Sequence, residues 1–197
     1  IPEDEKFGPL IRNMMRENGE KGSTYYERYG NVRPQFIQED MAFDRGHHLL
    51  IYTGHGDHDR WSSTNPYPHY LSSDIEQLKN QYKNPFVVSI ACNNAPLDNN
   101  TVGETFAERW MNAGTYGMPS GAIAMYAANR NVPVNNSNWL PYGIVEGFFV
   151  KKHKSIGSAV LSGQLKVMSY YYKDNPDPLS LLMYFHLLGD PSVELKR

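Results

Sequence analysis

Phe86-Val-Val-Ser-Ile-Ala-Cys-Asn-Asn94 is the most informative segment for the fold of this chain. Its first six residues are almost entirely apolar and a polar turn follows, which is typical of a strand buried on both faces of a sheet. His48–Tyr52, which ends at Thr53-Gly54, and Gly121–Ala127 are two further runs of this kind. Because single helical segments separate the runs, we expect right-handed crossovers and a parallel sheet that helices cover on both faces. The sequence therefore predicts a three-layer α/β domain.

Apolar periodicity, capping signals and Gly-Pro breaks predict the remaining elements. Two capping boxes stand out, Ser73–Glu76 and Thr101–Glu104, and after the second one Phe106, Ala107, Trp110 and Met111 form an apolar stripe. The predicted helices are Lys6–Asn18, Ser73–Gln81, the segment carrying that stripe, Leu140–Val150, Ile156–Lys173 and Leu179–Leu188, and Ser192–Leu195 is predicted as a last strand.

The composition argues against several classes of protein. Lys and Arg number 19 and Asp and Glu 21, a net charge of −2, whereas a nucleic-acid-binding domain normally has a basic excess. No run approaches the roughly 18 apolar residues of a membrane-spanning helix, so we expect no membrane span. Cys92 is the one cysteine among 197 residues, so we expect neither an internal disulfide nor a cysteine-cluster metal site.

Two reactive side chains follow two of the predicted strands. The first strand runs into Tyr52-Thr-Gly-His-Gly56, and the second runs into Cys92. Groups just past the carboxyl ends of neighbouring parallel strands meet at one edge of the sheet, so we expect His55 and Cys92 to lie side by side there. A thiol beside an imidazole is an arrangement for nucleophilic catalysis. The main-chain amides of Gly56 and Cys92 could then form an oxyanion hole.

These motifs resemble the gingipain family of cysteine peptidases, which shares the caspase-like fold. The order and the spacing of the motifs both agree, over roughly Ile51 to Glu194. The matching stretches are Tyr52–Gly56, Ile90–Asn94, Gly103–Ala113, Gly121–Ala124 and Leu188–Ser192.

The resemblance implies a role for each residue of the pair. His55 would be the general base or imidazolium partner, and Cys92 would be the nucleophile that forms a thioester. The acidic residue that orients the histidine in the family would fall just before Ile1. We therefore expect residues 1–197 to be a caspase-like peptidase domain that lacks its first strand or strands, with a companion fragment of the same precursor as a partner. The family also implies protein or peptide substrates and a secreted or surface location.

The resemblance also places specificity residues. Asp4 falls near the aspartate of the members that cleave after arginine, although Pro2–Glu5 also reads as an acidic helix start that the helix dipole favours. Trp139 resembles the tryptophan that covers the primary pocket, and Thr53 and Ile90 would line that pocket. Leu140–Tyr142 carries no acid, which disfavours the lysine-cleaving branch.

Two other functions remain open from the sequence. His55-Gly-Asp-His58 matches the end of a metallohydrolase motif, with His55, Asp57 and His58 as ligands, but Thr53 stands where the first histidine ligand would be. The fold could also serve as a catalytically silent binding or processing module. We expect no required cofactor, and although a peripheral structural calcium would fit the family, no loop shows a calcium-ligand pattern.

Overall fold

The computed structural model describes residues 3–19, 34–41, 46–62, 68–98, 103–132, 137–174 and 178–195. The chain divides into two compact units. The first unit comprises residues 1–24, 132–185 and 190–197, and the second comprises residues 25–131 and 186–189. Each unit is described separately below.

The described elements follow one another in the order that an α/β chain requires. The helices are α1 (Glu3–Glu17), α2 (Pro34–Met41), α3 (Ser72–Ile75), α4 (Phe106–Asn112), α5 (Trp139–Val145), continued by a π-helical turn (Glu146–Val150), α6 (Ile156–Asp174) and α7 (Pro178–Met183). The strands are β1 (Leu49–Thr53), β2 (His55–Asp57), β3 (Arg60–Ser62), β4 (Tyr70–Leu71), β5 (Phe86–Ile90), β6 (Gly114–Thr115), β7 (Met118–Pro119), β8 (Ala124–Ala128) and β9 (Phe185–Gly189).

A four-stranded sheet of order β1-β5-β8-β9 forms the framework of the second unit. β5 runs parallel to both β1 and β8, with Thr53 opposite Ile90 and Phe86 opposite Ala124. Every residue of β5 and of β8 is buried, which explains why both strands are continuous apolar runs in the sequence. The three predicted strands and their parallel arrangement are confirmed.

The fourth strand of this sheet corrects one prediction. The helix predicted over Leu179–Leu188 ends at Met183, and Phe185–Gly189 is strand β9 instead. Gly189 has a φ of +108°, and a Cβ there would lie 2.9 Å from that of Ala124 in β8. His186, predicted to lie in an apolar helical stripe, is therefore an exposed strand residue. Helix and strand are hard to distinguish in short apolar runs because periodicity alone does not separate them.

A small antiparallel sheet of order β2-β3-β4 follows β1 directly and carries His55 at its start. Its central residue Trp61 is buried and stacks on Tyr52, with ring centroids 4.4 Å apart. Trp61 also contacts the rings of Phe106 and Trp110 on α4. These aromatic side chains form the part of the core that lies beneath β2.

Both predicted capping boxes are wrong in position. Helix α4 begins after Thr105, whose hydroxyl accepts from Glu108 N at 3.3 Å while Thr105 N donates to the Glu108 carboxylate at 2.8 Å. Thr105–Glu108 repeats the Thr-x-x-Glu pattern of the predicted box four residues further along the chain. Thr101 lies outside the described residues. Helix α3 ends at Ile75 instead of near Gln81, and its N-terminal carboxylate is Asp74, which accepts from Leu71 N at 2.7 Å. The predicted apolar stripe on α4 is confirmed, with Phe106, Ala107 and Trp110 buried.

The first unit is helical. Helices α5 and α6 pack closely because small residues face each other, and a Cβ on Gly143 would lie 2.8 Å from Gly163 Cα. The predictions over Leu140–Val150 and Ile156–Lys173 are confirmed, although the first ends as a π-helical turn. The predicted last strand is reduced to one bridge, between Ser155 and Glu194. Among the described residues no helix is long and apolar enough to cross a membrane.

Candidate active site

The register of two neighbouring strands places His55 and Cys92 at the same edge of the sheet. Thr53 and Ile90 are paired at the ends of β1 and β5, and each reactive residue follows its strand end by two positions. Gly54 N donates a hydrogen bond to Ile90 O at 3.1 Å, so the two chains still contact each other beyond the ladder. The chain segments that carry His55 and Cys92 therefore leave the sheet at the same edge.

Gly56 lies directly against the segment that carries Cys92. A Cβ added to Gly56 would lie 2.8 Å from Ala91 Cβ and 2.9 Å from Cys92 O. Real Cβ atoms do not approach other heavy atoms so closely. The absence of a side chain at Gly56 therefore lets the main chain after His55 pack on the main chain of Cys92.

The two reactive residues differ in exposure. His55 is exposed at the start of β2, whereas Cys92 is half-buried in the turn after β5. The next residue, Asn93, has a φ of +53°, and its N–H donates to Arg130 O at 3.2 Å. A left-handed residue turns the chain sharply after Cys92, so the cysteine lies at a tight bend.

Tyr52 holds the main chain of His55 in place. Its hydroxyl donates to His55 O at 2.8 Å and also lies 3.0 Å from Ser62 O on the neighbouring strand β3. The ring stacks on Trp61 with an angle of 11° between the planes. One phenol group therefore binds the main chain at the start of β2 and the main chain of the neighbouring strand β3.

A buried polar network lies beneath both segments. Trp61 Nε1 donates to Ser89 Oγ at 2.8 Å, and Ser89 Oγ donates to Asn94 Oδ1 at 2.7 Å. Asn94 Nδ2 donates to Asp57 O at 2.6 Å and to Arg60 O at 3.0 Å. Ser89 and Asn94 are fully buried. Neither residue has a role predicted from the sequence, although a serine inside the apolar run of β5 is a signal of a buried polar contact.

The N-terminus of α4 binds the same two segments from another side. Phe106 N donates to His58 O at 2.6 Å, and Ala107 N donates to Asn94 O at 2.9 Å. The first amides of a helix have no partners within the helix. Here they bind one carbonyl from the chain after His55 and one from the chain after Cys92.

A pocket of about 370 Å³ opens beside these segments. Its lining includes Asp57, His58, Asn93, Asp98 and Arg130. Arg130 binds the Asp98 carboxylate through two nitrogens, at 2.9 and 2.5 Å, and these hydrogen bonds lower the pKa of Asp98. The main-chain N–H of His58 lowers the pKa of Asp57. Both carboxyl groups are therefore ionised at neutral pH.

The grouping of metal-ligating side chains differs from the predicted metal set. Among the described residues, Asp57, His58 and Asp59 have ligand atoms within 4.8 Å of one another, and His55 is not part of this group. Asp57 Oδ1 already accepts from His58 N at 2.8 Å, and Arg60 lies 3.6 Å from the other carboxylate oxygen. The Asp57 carboxylate therefore already has a hydrogen-bond donor and a cation within the protein as partners.

The predicted specificity residues fall in both units. In the second unit, Thr53 is half-buried and Ile90 is buried at the paired strand ends. In the first unit, Asp4 lies in α1, and its side chain is outside the described part of the structure. Trp139 begins α5 and stacks on Tyr170 with centroids 3.4 Å apart, while Phe7 meets its ring edge-on at 4.7 Å. Trp139 is thus part of an aromatic cluster.

Comparison with known proteins identifies the family. The sequence pattern of Peptidase family C25 matches residues 10–196. Gingipain R2 and gingipain R1 of Porphyromonas gingivalis are each 28% identical over 156 residues, which is 77% of this chain. The chain spans 20% of that gingipain R2 and 15% of that gingipain R1.

Solved structures give the same result for the fold. The crystal structure of the Arg-specific cysteine proteinase gingipain R superimposes with a TM-score of 0.80 at 24% identity, covering 98% of this chain and 43% of that one. A complex of gingipain pro- and mature domains from Porphyromonas gingivalis gives a TM-score of 0.76 at 26% identity, covering 95% and 43%. The chain has the α/β caspase-like fold that the sequence predicts, and it belongs to peptidase family C25, the gingipain-like cysteine peptidases.

Proposed function

We propose that this chain carries the catalytic centre of a cysteine endopeptidase, with Cys92 as the nucleophile and His55 as its proton acceptor. The strand register is the observation that carries the proposal, because it brings the two residues to one sheet edge from paired strand ends. The close approach of Gly56 to Cys92 O supports it independently. Membership of family C25 supports the same reaction class.

The reaction proceeds through an acyl-enzyme. His55 takes the proton of the Cys92 thiol, and the thiolate sulfur bonds to the carbonyl carbon of the peptide. The C–N bond then breaks as His55 gives the proton to the leaving amine, which leaves a thioester on Cys92. Water attacks the thioester, His55 takes the proton of that water, and the C–S bond breaks to release the acid and restore the thiol. No cofactor takes part in these steps, and a peripheral structural calcium stays a prediction.

The negative oxygen of each tetrahedral intermediate needs hydrogen-bond donors. The main-chain amides of Gly56 and Cys92 are the donors that we propose, since their segments are in contact. Such preorganised amides typically contribute a factor of about 100 to 1,000 in rate. The Cys92 amide belongs to the nucleophile itself, so its position relative to the forming bond is set by covalent geometry.

Arginine at the cleaved position is the proposed preference. One of the similar solved structures is described as Arg-specific, and Asp4 is the acid that we propose to bind the guanidinium. Thr53, Ile90 and Trp139 are the proposed pocket residues. We also propose that the whole protein is secreted or exposed at the cell surface, and that a further segment of the same precursor pairs with this chain; the similar complex of pro- and mature domains supports such a partner.

The decisive experiment compares Cys92→Ala with the parent protein, both as full-length chains. We expect the variant to keep its circular dichroism spectrum and its thermal unfolding midpoint and to lose hydrolysis of arginyl peptide substrates. An arginyl chloromethyl ketone should label Cys92 stoichiometrically, whereas an aspartyl analogue should not. Normal turnover by Cys92→Ala would overturn the proposal, and equal labelling by both reagents would overturn the preference for arginine.

The same assay tests the two other functions. If a zinc chelator abolishes hydrolysis and a thiol reagent does not, the group around Asp57 and His58 would be a metal site and the protein a metallohydrolase. If the folded parent protein hydrolyses no peptide and its Cys92 is not labelled, the domain would be a silent binding module.

A further inference from the structure

We propose that Asn94 is a positioning residue for the peptidase reaction: its buried carboxamide fixes the segment of Cys92 against the segment of His55. This inference rests on the proposed roles of Cys92 and His55. Asn94 follows Cys92 by two residues, and its side chain binds the main chain of Asp57, which follows His55 by two residues. The carboxamide therefore joins the two segments at positions that each lie two residues after a proposed catalytic residue.

Both donor hydrogens of the Asn94 carboxamide have an acceptor. Its Nδ2 has two hydrogens, and it contacts two carbonyl oxygens, Asp57 O at 2.6 Å and Arg60 O at 3.0 Å. Its Oδ1 accepts from the Ser89 hydroxyl at 2.7 Å. An aspartate here would have no hydrogens for the two carbonyls. The site thus requires a carboxamide and not merely a side chain of this size.

The orientation of that carboxamide is fixed by Trp61. An indole N–H can only donate, so Ser89 Oγ must accept from Trp61 Nε1, which leaves the serine hydrogen for Asn94 Oδ1. In this chain of hydrogen bonds, Trp61 acts only as the donor and the Asn94 side-chain oxygen acts only as the acceptor. A buried network with every donor used specifies one geometry.

The same residue is also held through its main chain. Ala107 N on α4 donates to Asn94 O, and the neighbouring Phe106 N donates to His58 O. Rotation of the Cys92 turn away from β2 and α4 would break the bond to Asn94 O together with those of the carboxamide. Since displacing a reacting group by about 1 Å can cost about 100-fold in rate, we expect the network to act on the chemical step.

The test compares Asn94→Ala with a matched control, Asn80→Ala, in the full-length protein. Asn80 is also buried, and its Nδ2 donates to Gly121 O at 2.8 Å while Gly121 N donates to its Oδ1 at 2.9 Å. Gly121 precedes β8, so Asn80 tethers the amino ends of the strands whereas Asn94 tethers the carboxyl ends. Both variants lose buried hydrogen bonds, and only one loses them beside the dyad.

The first readout is the rate of alkylation of Cys92 by iodoacetamide at neutral pH. Cys92 is the one cysteine of residues 1–197, and mass spectrometry of the peptide that contains it follows its alkylation directly, with no substrate needed. We expect Asn94→Ala to slow alkylation at least about fivefold, since the thiolate loses its imidazole partner, and Asn80→Ala to match the parent. The nearby charged groups Asp57, His58, Asp98 and Arg130 are the same in all these proteins.

The second readout is the division of the loss between kcat and KM. We expect Asn94→Ala to lower kcat by about 10-fold to 100-fold with little change in KM, and Asn80→Ala to lower neither. If Asn94→Ala alkylates as fast as the parent, or if the two variants lose equal activity, the positioning role is overturned.

A variant with a smaller change covers the case in which Asn94→Ala does not fold. Ser89→Ala removes only the hydroxyl between Trp61 and Asn94, and the same loss of alkylation rate and kcat is expected from it. Parent-like values in folded Ser89→Ala would then overturn the inference. Failure of the proposed function has a different signature, because Cys92→Ala would still hydrolyse peptides.

Discussion

Gly56 and Cys92 meet main chain to main chain: a Cβ on Gly56 would lie 2.9 Å from the carbonyl oxygen of Cys92. The contact joins the first residues of β2 to the turn after β5. It exists because the parallel register of β1 and β5 delivers both segments to one edge. A glycine after the histidine is therefore required by packing, independently of any role of its amide in binding an oxyanion, since every residue except proline has such an amide.

Substitution of Gly56 should lower both the activity and the stability of the protein. In Gly56→Ala the new methyl group meets Ala91 Cβ, Asn94 Nδ2 and Cys92 O, so β2 must move outward. We expect a loss of about 1–3 kcal/mol in the free energy of unfolding and a fall of about 100-fold in kcat. Denaturant unfolding and peptide hydrolysis measure the two effects. Gly157→Ala is the control, because its methyl group would meet Pro191 Cβ at 2.8 Å in the first unit. Equal losses of kcat in the two variants would contradict this prediction.

The cap of α4 should contribute to the stability of the second unit. Thr105→Ala removes the hydroxyl that accepts from Glu108 N, and loss of such a cap typically costs about 1 kcal/mol. Because the amides of the next two residues bind His58 O and Asn94 O, we also expect a measurable fall in kcat. Thr105→Ser keeps a capping oxygen and should resemble the parent in urea unfolding. A serine variant as unstable as the alanine variant would show that the cap is not the cause.

Glu146 should make the stability of the protein depend on pH. Burial alone would raise the pKa of Glu146, but hydrogen bonds from Lys166 and Lys151 outweigh it and lower the pKa below the ordinary 4.5. The stabilisation is therefore complete above pH 4.5 and is lost as the pH falls through the lowered value. We expect Glu146→Gln to be less stable than the parent at pH 7 and as stable as the parent well below pH 4.5.

Urea unfolding across that pH range checks this prediction, with Glu76→Gln as the control. Glu76 pairs with Arg109 at 2.8 Å, but its side chain is 57% exposed. An exposed pair contributes little, typically 0–1 kcal/mol. A pH-independent deficit in Glu146→Gln would mean that packing, and not charge, accounts for its effect.

Some elements of this fold are predictable from the sequence and others are not, for physical reasons. The strands β1, β5 and β8 are recognisable because burial on both faces demands continuous apolar residues, and the stripe on α4 follows the helical period. β9 was mistaken for helix because Phe185–Leu188 is too short for periodicity to distinguish the two. The capping box of α4 was displaced because Thr-x-x-Glu occurs twice in succession, at Thr101 and at Thr105. The box of α3 was displaced because its N-cap is Leu71, a residue type that the capping pattern does not include.

Residue type and local pattern were enough to predict which residues carry reactive groups and which strands precede them. The paired ends of β1 and β5 and the contact between Gly56 and Cys92 are consistent with that prediction. How these segments are held against each other depends on contacts that appear only in the folded chain. Tyr52 and Asn94 act through hydrogen bonds to the main-chain carbonyl oxygens of Ser62 and Arg60, which are distant in the chain. Main-chain carbonyls are identical at every position, so no sequence pattern marks which ones a buried side chain will bind.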